Sequence, residues 1–483
     1  ARGDNSPVPY VAAQPDWTTG LRSVIQDPLN GAVPIKPAGI DLPSSDMKQR
    51  FIGQWALMAD TTPGNTKGIR LLEVSAGSLS RNTTVTINGQ EEDILGTGSQ
   101  IVLFDTSPYD TVTQTISWAP TRTQLAAGSS SATFDLVVES PNAFGHAAGD
   151  KYSSHGLFVA GMAYAVAPDA TFRLIEVLGD NGFGTYSDLL DAIATYLVEN
   201  GQFAESTPLP QTVINLSLGY TDTQTVAITE PLRTQLVGTL TAKTGTHPTK
   251  AELMKLLSTV PGTAATQDTI GQFLALARDM GAVVIAASGN DSGHGGWANS
   301  DGAQHPARFT SMVAVAALNG VSSNGALLKA RRSSFANQGQ LLAPGGGVAD
   351  TNALGTGDCP AETKAATIAC RGHSNCAEAV MGLVDPGMAE TENTDFSSGS
   401  FSGGYAYWEG SSFSAGLVSG LAALAFERLA LEQQTPVAPA DVEQRLNCAA
   451  TGSLGPLPIV NAADGQVTPA GVVNVRTWRE NCG

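Results

Sequence analysis

The apolar residues of this chain gather in short unbroken runs, and several stretches between the runs carry a helical period. Ile101-Val102-Leu103-Phe104 is one such run. No polar residue interrupts it, as a strand buried on both faces requires, and it stops abruptly at Asp105 with Thr106-Ser107-Pro108 behind it. Phe172 to Leu178, Thr212 to Leu218, Ala282 to Ala287 and Met312 to Ala317 read as further strands. Between them, small and apolar residues from His155 to Ala163 predict a helix that begins at the imidazole. Ser187 to Val198 predicts an amphipathic helix and Ile270 to Met280 another, while Gly182-Phe183-Gly184 reads as a loop. Strand and helix in alternation imply βαβ units, and hence an α/β fold on a mostly parallel sheet. Late in the chain, Glu409-Gly410-Ser411-Ser412 reads as a tight turn. It runs into a helix from Ser412 to about Leu431, whose very small residues alternate with Leu and Val as close packing on neighbours demands.

The remaining segments are less patterned. Residues 1–50, rich in Pro, Asp, Gly and Ser, read as an N-terminal arm or a retained remnant of a pro-segment, and 51–483 as one domain without internal repeats or a Pro-rich linker. Leu71 to Val74 and Thr84 to Ile87 predict two strands, the second closing on an Asn88-Gly89 turn. Insertions are expected at about 61–97, 221–266 and 351–408. The second carries a capping box at Pro248-Thr249-Lys250-Ala251-Glu252, and the third has almost no apolar pattern. Arg2-Gly3-Asp4 matches an integrin-binding tripeptide, but three residues recur by chance.

Composition narrows the function. With 483 residues and 42% hydrophobic content the chain fills a sizeable core, and its net charge of -18 argues against nucleic acid or anionic membranes as partners. No apolar run reads as long enough to span a bilayer, and the start at Ala1 reads as a processed, soluble form. The five cysteines, Cys359, Cys370, Cys376, Cys448 and Cys482, include no C-x-x-C pair. That disfavours zinc and allows disulfides in an oxidising compartment, so a secreted or cell-surface protein is expected. Cys448 is expected to pair with Cys482, and a second bond to lie within Cys359, Cys370 and Cys376.

Asp105, His155 and Ser412 each have a structural reading alone: a strand-end carboxylate, a core histidine with His146 as competitor, and a capping serine. Together they are the three residue types that activate a nucleophile. Ser attacks, His takes its proton, and a buried Asp orients and stabilises the imidazole. Their order in the chain, Asp then His then Ser, differs from the chymotrypsin and α/β-hydrolase orders. Blocks at Ile101 to Ser107, His155 to Gly161, Val213 to Gly219, Val283 to Asp291 and Gly410 to Gly420 closely resemble the subtilases, the subtilisin-like serine peptidases.

The resemblance implies a three-layer fold with helices on both faces of the sheet, and a catalytic triad of Asp105, His155 and Ser412. It implies an oxyanion donor in Asn290 alongside the Ser412 N–H, and acceptor edges for extended substrate at Gly182-Phe183-Gly184 and Ser217-Leu218-Gly219. Ala287-Ser288-Gly289 and the region of His305-Pro306-Ala307 would wall the pocket for the residue before the scissile bond, with Asp291 at its rim.

The sequence also departs from the family pattern. Leu157 and Phe158 stand where Thr and His are usual, Gly416-Leu417 where Pro-His is common, and Ser107 follows Asp105-Thr106 where Gly is usual. The short connection from Ala163 to Ala167-Pro168-Asp169 lacks the loop that holds a tight calcium site in many relatives, so structural calcium is left open and no cofactor is needed for the chemistry. The expected function is a secreted serine endopeptidase acting on proteins or peptides. The alternative is a subtilase fold kept as a surface or assembly component, in which loss of a triad member or of Asn290 would be expected. None is lost.

Overall fold

The computed structural model of the chain describes residues 18–20, 33–34, 84–109, 113–118, 134–140, 152–180, 182–200, 209, 211–220, 269–290, 303–323, 326–332, 337–345, 380–383, 405–408, 410–433, 436–451, 459–460, 467–468, 471–472 and 482. The first strands are β1 (Thr18–Gly20), β2 (Val33–Pro34) and the hairpin pair β3 (Thr84–Ile87) and β4 (Gln90–Asp93). The hairpin turns on Asn88 and Gly89 with φ of 53° and 83°, the conformation that an Asn-Gly pair adopts most easily. The core then runs β5 (Gln100–Thr106), β6 (Thr113–Trp118), β7 (Phe134–Glu139), α1 (His155–Val166), β8 (Thr171–Leu178), β9 (Phe183–Thr185), α2 (Tyr186–Asn200), β10 (Thr212–Leu216), β11 (Gly219–Tyr220), α3 (Thr269–Asp279), β12 (Val283–Ala287), β13 (Val313–Ser323), β14 (Ala326–Arg332) and β15 (Leu341–Pro344). It closes with β16 (Val380–Leu383), β17 (Tyr405–Trp408), α4 (Ser411–Gln433), α5 (Pro439–Thr451), β18 (Ile459–Val460), β19 (Val467–Thr468) and β20 (Gly471–Val472).

The central sheet has the order β20-β15-β13-β12-β10-β5-β8-β7-β6, with β14 beside β13. From β20 to β7 all neighbours are parallel, and the antiparallel pairs are β6 on β7 and β14 on β13. The apolar runs form the middle of this sheet because strands covered on both sides need apolar residues at every position. Alternation along β5 separates the two faces: Phe104 meets the ring of Tyr196 on α2, and Asp105, the next residue, meets His155 on α1. Chain order reverses around β5, which has β8 on one side and β10 on the other, so the carboxyl end of β5 is the switch point where such sheets hold ligands.

Helix α4 packs on α1 and on β10, β12 and β13. A Cβ built on Gly416 would stand 2.8 Å from the Val159 carbonyl oxygen and one on Gly420 2.6 Å from that of Ala163, so both positions are kept bare by the approach of α1. By length and apolarity α4 could cross a bilayer, contrary to the sequence expectation, but 89% of that window is buried inside the protein and it is the core helix. Several strands were not anticipated: β6, β7 and β14 lie toward the sheet margins, β17 pairs with β16 and β2, and β9 replaces an expected loop. Leu71 to Val74 and the insertion at 221–266 lie outside the described residues. Cys448 on α5 is joined to Cys482 by a disulfide, while Cys359, Cys370 and Cys376 fall outside the described residues.

Candidate active site

The carboxyl end of β5 delivers Asp105, and Thr106 ties that end to the turn preceding α1. The Thr106 hydroxyl lies 2.9 Å from the Tyr152 carbonyl and 3.0 Å from that of Ser153, and it accepts the Gly156 N–H at 3.2 Å. Ser107, in place of a glycine, sets the next turn by accepting the Tyr109 N–H on its hydroxyl. His155 is the first residue of α1, and its Nδ1 lies 2.7 Å from Asp105 Oδ1, with both side chains fully removed from solvent. The same Oδ1 accepts the Thr106 N–H at 2.7 Å. The contact therefore fixes the imidazole: an acceptor already engaged with an N–H requires the proton on Nδ1, which leaves Nε2 as the basic nitrogen.

Ser412 is the second residue of α4 and Phe413 follows it, its ring 5.4 Å from the imidazole and 4.3 Å from the ring of Phe158. That packing gives the two family departures at Leu157 and Phe158 a place, since both are wholly buried on α1. The Ser412 hydroxyl donates to the Ser217 carbonyl at 3.1 Å instead of to His155. Ser217 returns a bond to the Ser412 carbonyl at 3.1 Å, so the end of β10 and the start of α4 are held together. Asn290, 3% exposed, accepts the Ser411 N–H on Oδ1 at 2.9 Å. That bond orients the amide, placing Nδ2 3.5 Å from where a Cβ on Gly410 would stand, in front of the turn into α4. At the start of α4 the Ser411 N–H is taken by Asn290 and the Phe413 N–H by the Gly410 carbonyl, and the helix dipole is positive at this end.

The two edges expected to receive substrate are occupied by the chain itself. β1 pairs antiparallel with β9 through Thr18↔Thr185, Thr19↔Gly184 and Gly20↔Phe183, and with β11 through Thr19↔Tyr220 and Gly20↔Gly219. Gly182 precedes β9 with φ of 75°, a backbone shape that suits glycine. Ser217, Leu218 and Gly219 leave the end of β10, and Ala287, Ser288 and Gly289 leave the end of β12, its parallel neighbour. Gly289 donates to Ser411 Oγ at 3.3 Å, so both walls abut the start of α4. Sequence reading missed Thr106 as the clamp and Gln304 beside these walls. Neither carries a signal until its neighbours in space are known. Asp291 lies outside the described residues, and no three His, Cys, Asp or Glu side chains gather as a metal site among the described residues.

The family model of the subtilases matches residues 45–467, and the chain belongs to the subtilase family. It is a subtilisin-like serine peptidase. Among solved structures it is similar to a lanthipeptide protease (16% identity, TM-score 0.41, covering 79% of this chain and 88% of that one). It is also similar to a psychrophilic protease designated S41 (18%, 0.41, 79% and 92%) and to a serine-to-alanine mutant of the protease domain of PatA (18%, 0.42, 80% and 95%). No curated protein matches the chain.

Proposed function

We propose that the protein is a secreted endopeptidase that cleaves peptide bonds through an acyl-enzyme on Ser412. The observation that carries this reading is the buried 2.7 Å contact of Asp105 with His155 at the switch point of the sheet, beside the start of α4. In the reaction the Ser412 hydroxyl leaves the Ser217 carbonyl and passes its proton to His155 Nε2 as Oγ bonds to the substrate carbonyl carbon. The Asp105 charge stabilises the imidazolium. Negative charge on the former carbonyl oxygen is met by Asn290 Nδ2 and the Ser412 N–H, groups that are oriented before substrate arrives. The C–N bond then breaks, the leaving amine takes the proton from Nε2, and a water molecule repeats the sequence to release the acid. No cofactor is needed.

The Cys448–Cys482 bond supports an oxidising compartment and so export from the cytoplasm. The pairing of β1 with both acceptor edges supports a latent form, in which the N-terminal arm holds the place of an extended substrate until it leaves.

The test is a phosphonofluoridate applied at neutral pH to the folded protein, followed by mass spectrometry of its peptides. Labelling at Ser412 alone, lost in Ser412→Ala, is the expected result. An adduct elsewhere, or equal labelling of the variant, would overturn the peptidase reading of these residues and leave a scaffold.

A further inference from the structure

The two walls beside Ser412 do not enclose an open slot. A Cβ built on Gly219 would meet Gln304 Oε1 at 2.7 Å, and one built on Gly289 would meet Gln304 Cδ at 2.8 Å and Cγ at 2.9 Å. The Gln304 carboxamide therefore lies against the bare α-carbons of both walls, filling the gap between the edge that leaves β10 and the edge that leaves β12. Its backbone is fixed on each side. The Gln304 N–H donates to the Ser288 carbonyl at 2.9 Å, and its carbonyl accepts the Arg308 N–H at 2.9 Å. Gly289 has φ of 108°, so the backbone there is held in a shape open to glycine, and that wall cannot grow a side chain to do the same work.

We propose that Gln304 is a specificity-determining residue, closing the pocket for the side chain that precedes the scissile bond so that it takes short residues and excludes aromatic ones. The inference rests on the peptidase reading. β1 shows how an extended chain runs here, with Gly20 opposite Gly219. The antiparallel direction carries a bound peptide from Gly219 back toward Ser217, whose carbonyl touches the Ser412 hydroxyl. The residue whose carbonyl is attacked thus sits by Ser217 and sends its side chain between the walls. Alanine or serine leaves the carboxamide in place. A phenyl ring must displace it from two glycine contacts and from a half-buried position.

The test uses the full chain and a set of peptidyl p-nitroanilides that differ only in the last residue, Ala, Leu or Phe. Ratios of kcat/KM are read, because the N-terminal strand competes with every substrate alike and cancels from a ratio. The wild type is expected to favour Ala over Phe by at least about tenfold, the size of effect a filled pocket gives. Gln304→Ala is expected to raise the Phe/Ala ratio by at least about tenfold, and Gln304→Met, similar in size but apolar, to leave Phe excluded. A Phe/Ala ratio unchanged in Gln304→Ala, or a wild type that prefers Phe, overturns the inference. Phosphonylation of Ser412 run in parallel separates the two readings: a labelled Ser412 with an unchanged ratio defeats only the role of Gln304, whereas an unlabelled wild type defeats the peptidase reading and this inference with it.

Discussion

Substituting Asp105 by Asn asks what the buried carboxylate does beyond orientation. In one well-characterised triad the amide reverses the tautomer of the imidazole and costs roughly 10⁴-fold in kcat. Here the surroundings favour the other rotamer. The position of Oδ1 receives both the Thr106 N–H and the His155 Nδ1 at 2.7 Å, so an amide nitrogen placed there would face two donors. Leaving a buried donor unsatisfied costs about 1–3 kcal/mol, enough to keep the amide oxygen in that position in most molecules. The tautomer then survives and only the charge is lost. Two unit charges about 4 Å apart interact by about 4 kcal/mol at an effective dielectric constant of about 20, which sets a ceiling near 10³-fold. The amide dipole retains part of this, so Asp105→Asn is expected to lower kcat/KM by roughly 10²–10³-fold with an unchanged melting temperature. Hydrolysis of a peptidyl anilide and the rate of Ser412 phosphonylation should fall together. A loss of about 10⁴ or more would mean that the amide has flipped. A loss below about tenfold would mean that the charge does not act on the imidazole, and either result refutes the reasoning.

Burial of Tyr196 between α2 and the sheet pushes its phenol up to about 12, with Arg173 and Thr212 only partly opposing. The folded value lies above the unfolded one, so this contribution is complete below pH about 10 and is lost as pH rises toward 12; ultraviolet titration of wild type against Tyr196→Phe should show one phenol ionising only there. For the arm, Thr19→Pro removes a backbone N–H from the middle of β1, at the residue that stands opposite Gly184 on one side and Tyr220 on the other, and it is expected to lower KM for peptides with kcat unchanged. Equal KM values would take β1 out of the account.

The centre of this molecule was legible because burial writes itself into sequence. β12 is apolar throughout, β5, β8 and β10 carry buried apolar stretches, and a polar residue that ends such a stretch, as Asp105 does, stands out. α1 and α4 were legible for the same reason, their small residues being dictated by the approach of one helix to the other. β6, β14 and β17 were not, because each is fixed by a partner distant in space and its own residues lack the apolar run. Composition alone does not separate α4 from a membrane span, because a helix wrapped by protein and one wrapped by lipid need the same composition. Around the site, residue types singled out Asp105, His155 and Ser412 as the candidates for orienting acid, base and nucleophile. Ser217 as the resting partner of the Ser412 hydroxyl was invisible, and so was Gln304, a common polar residue in an irregular stretch whose meaning comes from two glycines far away in the chain.

The pairing of β1 with its two edges joins parts of one chain, so their meeting does not depend on how much protein is present. Tethered segments see one another at an effective concentration on the order of millimolar, and dilution leaves that figure untouched. A free peptide of equal intrinsic affinity must reach the same range before it holds half of the edges. Were the covalent link cut, the same strand would become an ordinary ligand that dilution removes. A single hydrolysed bond would then change occupancy of the edges by orders of magnitude without altering any contact within β9 or β11.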